Sequence, residues 1–98
     1  MQTYVMMFQF TPKGIEHIKE SPPRVEAAKK IVKNLGGEVR SFYAMLGGPC
    51  DTLLMFDAPN DEAVTKMALA IGSLGFVRTD SHRLFNEDEF RKIVAALP

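Results

Sequence analysis

The stretch Glu38–Pro59, EVRSFYAMLGGPCDTLLMFDAP, decides how the chain folds. Two apolar runs, Val39–Leu46 and Thr52–Phe56, flank the break Gly47-Gly48-Pro49-Cys50-Asp51. Adjacent glycines reach positive φ at little steric cost, and Pro49 has no N–H to give a central ladder. The break therefore reads as the loop of a β-hairpin. It also carries the only cysteine of the chain with a carboxylate beside it.

Working outward, Thr3–Phe10 reads as a strand with Tyr4, Met6, Phe8 and Phe10 on one face and Val5 and Met7 on the other. A strand apolar on both faces expects cover on both. Ile15–Glu20 reads as a single helical turn. Ser21-Pro22-Pro23 opens a helix with serine as its cap, and Val25, Ala28, Ile31, Val32 and Leu35 give it an apolar side. Gly36-Gly37 ends it.

Beyond the hairpin, Pro59-Asn60-Asp61-Glu62 starts a second helix whose buried stripe is Val64, Met67, Ala68, Ile71 and Leu74. Phe76–Phe85, FVRTDSHRLF, is a fourth strand with a polar centre. Asn86 and Glu89 make a capping box for a last helix carrying Phe90, Ile93, Val94 and Leu97.

Strand, helix, strand, strand, helix, strand is the ferredoxin-like βαββαβ sandwich, an α+β fold with four antiparallel strands, two helices on one face and here a C-terminal helix added. Right-handed crossovers put the strands in the order 4-1-3-2. At 98 residues the chain forms one domain, residues 1–98, and 46% hydrophobic content is ample for its core.

Twelve basic residues balance twelve acidic ones, which gives no reason to expect nucleic acid or an anionic membrane as partner. One cysteine excludes an internal disulfide. The opening MQTYVMMFQF has no basic leader, and no apolar run approaches the ~20 residues of a membrane span, so a cytoplasmic protein is expected.

Helices on one face leave the other face of the sheet open. With several of Tyr4, Met6, Phe8, Tyr43, Met45, Leu54 and Phe56 on it, that face is too apolar for a monomer. A homodimer or larger assembly through the sheet is the expectation, and partial cover by the C-terminal helix is the alternative.

Several residues can carry chemistry. Alternation sets Arg78, Asp80 and His82 in one row of the fourth strand, an acid, a base and a cation suited to proton transfer or anion binding. The bland alternative is a charged edge strand that discourages unwanted pairing. Cys50 and Asp51 occupy the central loop. The neighbouring carboxylate disfavours a thiolate, so a half-buried thiol and an Asx turn are the simpler roles. Tyr43 can point its hydroxyl into a cavity or simply fill a strand position. His17 and His82 with one cysteine make no metal-ligand spacing, and no glycine loop precedes a helix to hold phosphate, so no metal or cofactor is expected.

The chain resembles the GYD-domain family of small bacterial proteins. The likeness runs through Thr3-Tyr4-Val5, Phe10-Thr11, Gly14-Ile15, Ser21-Pro22 with Arg24, Leu35-Gly36-Gly37, Phe42-Tyr43 and Leu46-Gly47. It continues through Ala58-Pro59-Asn60-Asp61-Glu62-Ala63, Leu69-Ala70, Leu74-Gly75, Val77-Arg78-Thr79, Phe85 and Glu89-Phe90. The name motif, glycine-any-tyrosine-aspartate, falls on Gly48-Pro49-Cys50-Asp51, with cysteine in place of tyrosine, and Ser81 stands where a second threonine is expected.

The resemblance implies a ferredoxin-like domain that associates in the manner of dimeric α/β-barrel proteins, and implies little about function. Three readings follow. The leading one is a domain binding a small molecule in a cleft between the sheet and a partner subunit, with Tyr43, Cys50, Asp51, Arg78 and His82 around it. An isomerase or cofactor-free oxygenase using His82, Asp80 or Asp51 rests on fold analogy. A structural module that docks another protein through the open face is the third.

Overall fold

The computed structural model describes residues Met1–Pro98. Its strands are β1 (Gln2–Phe10), β2 (Glu38–Ala44), β3 (Thr52–Ala58) and β4 (Val77–Leu84). Its helices are α1 (Pro12–Glu16), α2 (Ser21–Asn34), α3 (Asp61–Gly72) and α4 (Glu87–Ala95), with a 3₁₀ turn at Ile18–Glu20 before α2. All strands pair antiparallel in the order β2-β3-β1-β4, the arrangement that right-handed crossovers require. The hairpin loop between β2 and β3 turns on Gly47 (φ 72°) and Gly48 (φ 85°), where a β-carbon would be strained.

The caps follow local sequence chemistry in most places. Asn60 Oδ1 accepts from the Ala63 amide at 2.9 Å, and Asn86 and Glu89 form the expected reciprocal box. Ser21 departs from expectation. It is the first residue of α2 rather than its cap, and no side chain caps that end. The 3₁₀ turn runs straight into the helix, and Pro22 and Pro23 have no N–H to satisfy, so little is left for a serine to cap.

The core lies between the sheet and the helices α2 and α3. Tyr4, Met6, Phe8, Leu54 and Phe56 point from the two central strands onto Val32, Val64, Met67 and Ile71. Each large side chain buried there contributes roughly 1.5–3 kcal/mol by leaving water. Tyr4 and Phe56, opposite each other in the β1–β3 register, stack with centroids 5.8 Å apart.

That burial corrects the expected open face. Tyr4, Met6, Phe8, Leu54 and Phe56 belong to the helix side and Met45 to the loop, so of the residues expected on the open face only Tyr43 is there. The face instead carries half-buried Val5, Met7, Leu53 and Met55, the alternate residues of the same strands. Both faces of β1 are apolar, and the side with the larger aromatic set went to the helices because it removes more area from water.

α4 does not cover the open face by burial. None of its residues is buried, and Phe90, Ile93, Val94 and Leu97 are all exposed. An Arg83–Glu89 ion pair at 2.8 Å ties its first turn to β4. No helix is long and apolar enough to cross a membrane.

Candidate functional site

The register of the sheet sets out the open face in rows. Tyr43, Leu53, Met7 and Asp80 lie side by side across the four strands. Ser41, Met55, Val5 and His82 form the next row. An apolar strip thus runs down the middle with polar groups on both flanks. Arg78, Asp80 and His82 share this face as alternation requires. His82 Nε2 lies 3.2 Å from Asp80 Oδ2, and both side chains are more than half exposed. The pair sits in water, on a surface rather than in a cleft of one subunit.

The hairpin loop is anchored at the other end of this face. Asp51 Oδ2 accepts the Phe10 amide at 2.9 Å, and the Asp51 amide donates to the Phe8 carbonyl at 2.8 Å. This carboxylate therefore bonds across to β1 instead of capping its own loop. His82 lies level with Val5, so Asp51 is about 10–17 Å from it along β1 at ~3.3 Å per residue. The structure does not join the two into one cluster. Arg78 does reach the loop through an intermediary: its Nη2 donates to Gln9 Oε1 at 3.4 Å, and Gln9 Nε2 donates to the Pro49 carbonyl at 2.9 Å. Cys50 is a free, buried thiol. No three His, Cys, Asp or Glu side chains gather where they could hold a metal ion.

Two further polar groups are structural. The Tyr4 hydroxyl lies 2.5 Å from Asp61 Oδ1 and 2.7 Å from Gln2 Oε1. Burial, and then the Asp61 carboxylate, push its pKa up to about 12, so it stays a phenol. Asp57 is buried at the edge of the open face, accepting from Thr3 Oγ1 at 2.7 Å and Arg40 Nε at 2.7 Å. The bond from Arg40 holds its carboxyl below the usual carboxylate range.

An apolar concavity lies on the opposite side, between α2, α3 and the sheet. About 50 Å³ of water-accessible space is walled chiefly by Phe8, Phe10, Ile31, Phe42, Leu54 and Phe76. Of fourteen lining residues eleven are hydrophobic, which leaves Ser21, Thr52 and Arg24 as the polar groups and Arg24 as the single charge. The Phe76 wall is ringed by basic residues. Arg24 Cζ lies 4.1 Å and Lys13 Nζ 4.4 Å from the ring centroid, and the His17 ring meets it edge-on at 6.5 Å. Arg24 Nη2 donates to the His17 carbonyl at 2.7 Å, and Nη1 lies 3.5 Å from an exposed Glu20 carboxylate.

Residues 4–94 match the GYD domain family, from the Tyr4 position in β1 to the last turn of α4. This chain belongs to the GYD domain family. No curated protein matches it. Several solved structures are similar, among them the following three. A leucine response regulatory protein of Mycobacterium tuberculosis matches 87% of this chain with TM-score 0.62 at 19% identity. A feast or famine regulatory protein of the same organism, complexed with L-methionine, matches 88% with TM-score 0.65 at 19% identity. This chain spans about half the length of each regulator, 51% in both cases. The third is 5-chloro-2-hydroxyhydroquinone dehydrochlorinase of Burkholderia phenoliruptrix in complex with 2,5-dihydroxybenzoquinone. It matches over 88% of this chain and 96% of its own length, with TM-score 0.62 at 12% identity. At these identities the likeness is one of fold.

In the GYD domain the name motif thus lands on a loop tied to the end of β1, with Cys50 buried and the Asp51 carboxylate spent on the Phe10 amide. The cavity on the helix side was not found from sequence. Arg24 carried a signal for it. It precedes Ala28 and Ile31 at helical spacing, a cation on the apolar side of α2. Phe76, fifty-two positions from Arg24, carried none.

Proposed function

We propose that this GYD domain binds a small, largely apolar molecule in the cavity between its helices and its sheet. The observation that carries the reading is a cavity walled by four phenylalanines with one charged side chain at its rim. Such a composition holds an apolar body and orients it by a few polar contacts. Two solved structures of similar fold hold small molecules, L-methionine in one and 2,5-dihydroxybenzoquinone in the other, which supports a fold able to host such ligands. A titration of small apolar fragments followed by amide NMR tests it. Saturable shifts should cluster at Phe10, Ile31, Phe42 and Phe76 and vanish in Ala28→Phe, which fills the space. Shifts absent or scattered over the surface refute it.

A second reading places a ligand in the cleft formed when a second copy closes the open face, with Tyr43, Arg78 and His82 at its edge and Cys50 and Asp51 in the neighbouring loop. The apolar strip of Val5, Met7, Leu53 and Met55 favours self-association there, and the Asp80–His82 pair supplies groups able to move a proton. An isomerase or cofactor-free oxygenase would use that pair. His82→Ala tests it against any activity found: an unchanged rate removes His82 from the chemistry.

A further inference from the structure

We propose that the ligand of the helix-side cavity is a small apolar monocarboxylate whose carboxylate is met by Arg24. The inference rests on the reading of that cavity as a binding site and adds the class of molecule it takes. A guanidinium offers five N–H donors in a planar fork. Two of them are engaged, one to the His17 carbonyl at 2.7 Å and one loosely toward Glu20 at 3.5 Å. The remaining donors belong to a group that lines the cavity. The guanidinium is held in place before a ligand arrives, by the Phe76 ring 4.1 Å from Cζ and by the His17 carbonyl.

Charge around the rim points the same way. Lys13 lies over the same ring and His17 stands at its edge, while the nearest carboxylate, on Glu20, is two-thirds exposed and therefore screened by water. An anion arriving here meets a cationic rim and an apolar interior. The hydroxyls of Ser21 and Thr52 also line the cavity and add hydrogen-bonding capacity without charge. The space limits the apolar part. At roughly 10–15 Å³ per water-sized group, about 50 Å³ takes some three to five of them, the tail of a short branched acid.

The test compares three probes on the whole domain by amide NMR and calorimetry: isovalerate, the neutral isovaleramide of nearly the same shape, and acetate, which keeps the charge without the tail. Isovalerate should bind saturably in the cavity, about tenfold or more tighter than either of the others. Arg24→Gln should remove that advantage and leave isovaleramide unaffected, and Arg24→Lys should restore part of it. Circular dichroism confirms that the variants are folded, and Lys13→Gln reads the rim charge should Arg24→Gln fail to fold. If acid and amide bind the cavity equally in wild type, the carboxylate assignment is wrong while the cavity remains a site. If acetate matches isovalerate, the contact is surface ion pairing and the assignment is again wrong. If no probe binds, the cavity reading falls with it.

Discussion

Gly14→Ala sets two opposing effects against each other. Alanine is the better helix former, and the substitution removes freedom from the unfolded chain, a gain of about 0.5–1 kcal/mol. Against it, a β-carbon at position 14 would lie 2.0 Å from the Phe76 carbonyl oxygen, where ordinary contact begins at 3.4 Å. Backbone must therefore retreat by about 1.4 Å, and that same oxygen accepts the Thr11 amide at 3.1 Å. Overpacking costs about 1–3 kcal/mol and the weakened hydrogen bond about 1 more.

The clash wins, for a net loss of about 2 kcal/mol. In a domain of this size that lowers the melting temperature by ~8–16 °C. Gly72→Ala is the control. Nothing lies within 4 Å of a β-carbon there and its φ is not positive, so only the gain remains and the variant is more stable by about 0.5–1 kcal/mol. Thermal and urea unfolding at one fixed protein concentration measure both, since self-association shifts apparent stability. Because Phe76 walls the cavity, Gly14→Ala also weakens any ligand bound there. A Gly14→Ala protein as stable as wild type would refute the reasoning.

Three other outcomes follow from particular contacts. The Asp57 carboxyl titrates below its unfolded value of about 3.9, so its stabilisation is complete above that pH and is lost as pH falls through and below it. Asp57→Asn is accordingly less stable than wild type at pH 7, with a gap that closes toward pH 2 in urea titrations; a gap independent of pH counts against the ion pair. The Ser81 hydroxyl oxygen is buried with no partner, so Ser81→Ala is neutral or stabilising by up to about 1 kcal/mol by denaturant midpoint, and a clear loss would reveal a partner. Wild type should be a dimer by light scattering, and Met55→Lys, which puts a charge into the open apolar strip, should be a folded monomer; a monomeric wild type at tens of micromolar ends the proposal of self-association.

Local chemistry made much of this protein legible from its residues alone. The paired glycines with Pro49 mark the hairpin, Asn60 and Asn86 mark helix starts, and the alternation of apolar and polar positions marks strands, because each signal lies within a few residues of its effect. Those elements in that order admit few topologies, and the strand order followed. The row Arg78, Asp80, His82 was legible for the same reason, as alternation along one strand.

Tertiary pairing decided the rest. β1 is apolar on both sides, so its residues do not say which side meets the helices, and the partners in Leu54, Phe56, Met67 and Ile71 had to choose Tyr4, Met6 and Phe8. Asp51 is spent on the Phe10 amide, forty-one positions away, and Arg24 meets Phe76 only because the tertiary fold brings α2 to the turn between α3 and β4. Contacts between residues so far apart depend on how whole elements are stacked, and periodicity within any one element carries no record of them.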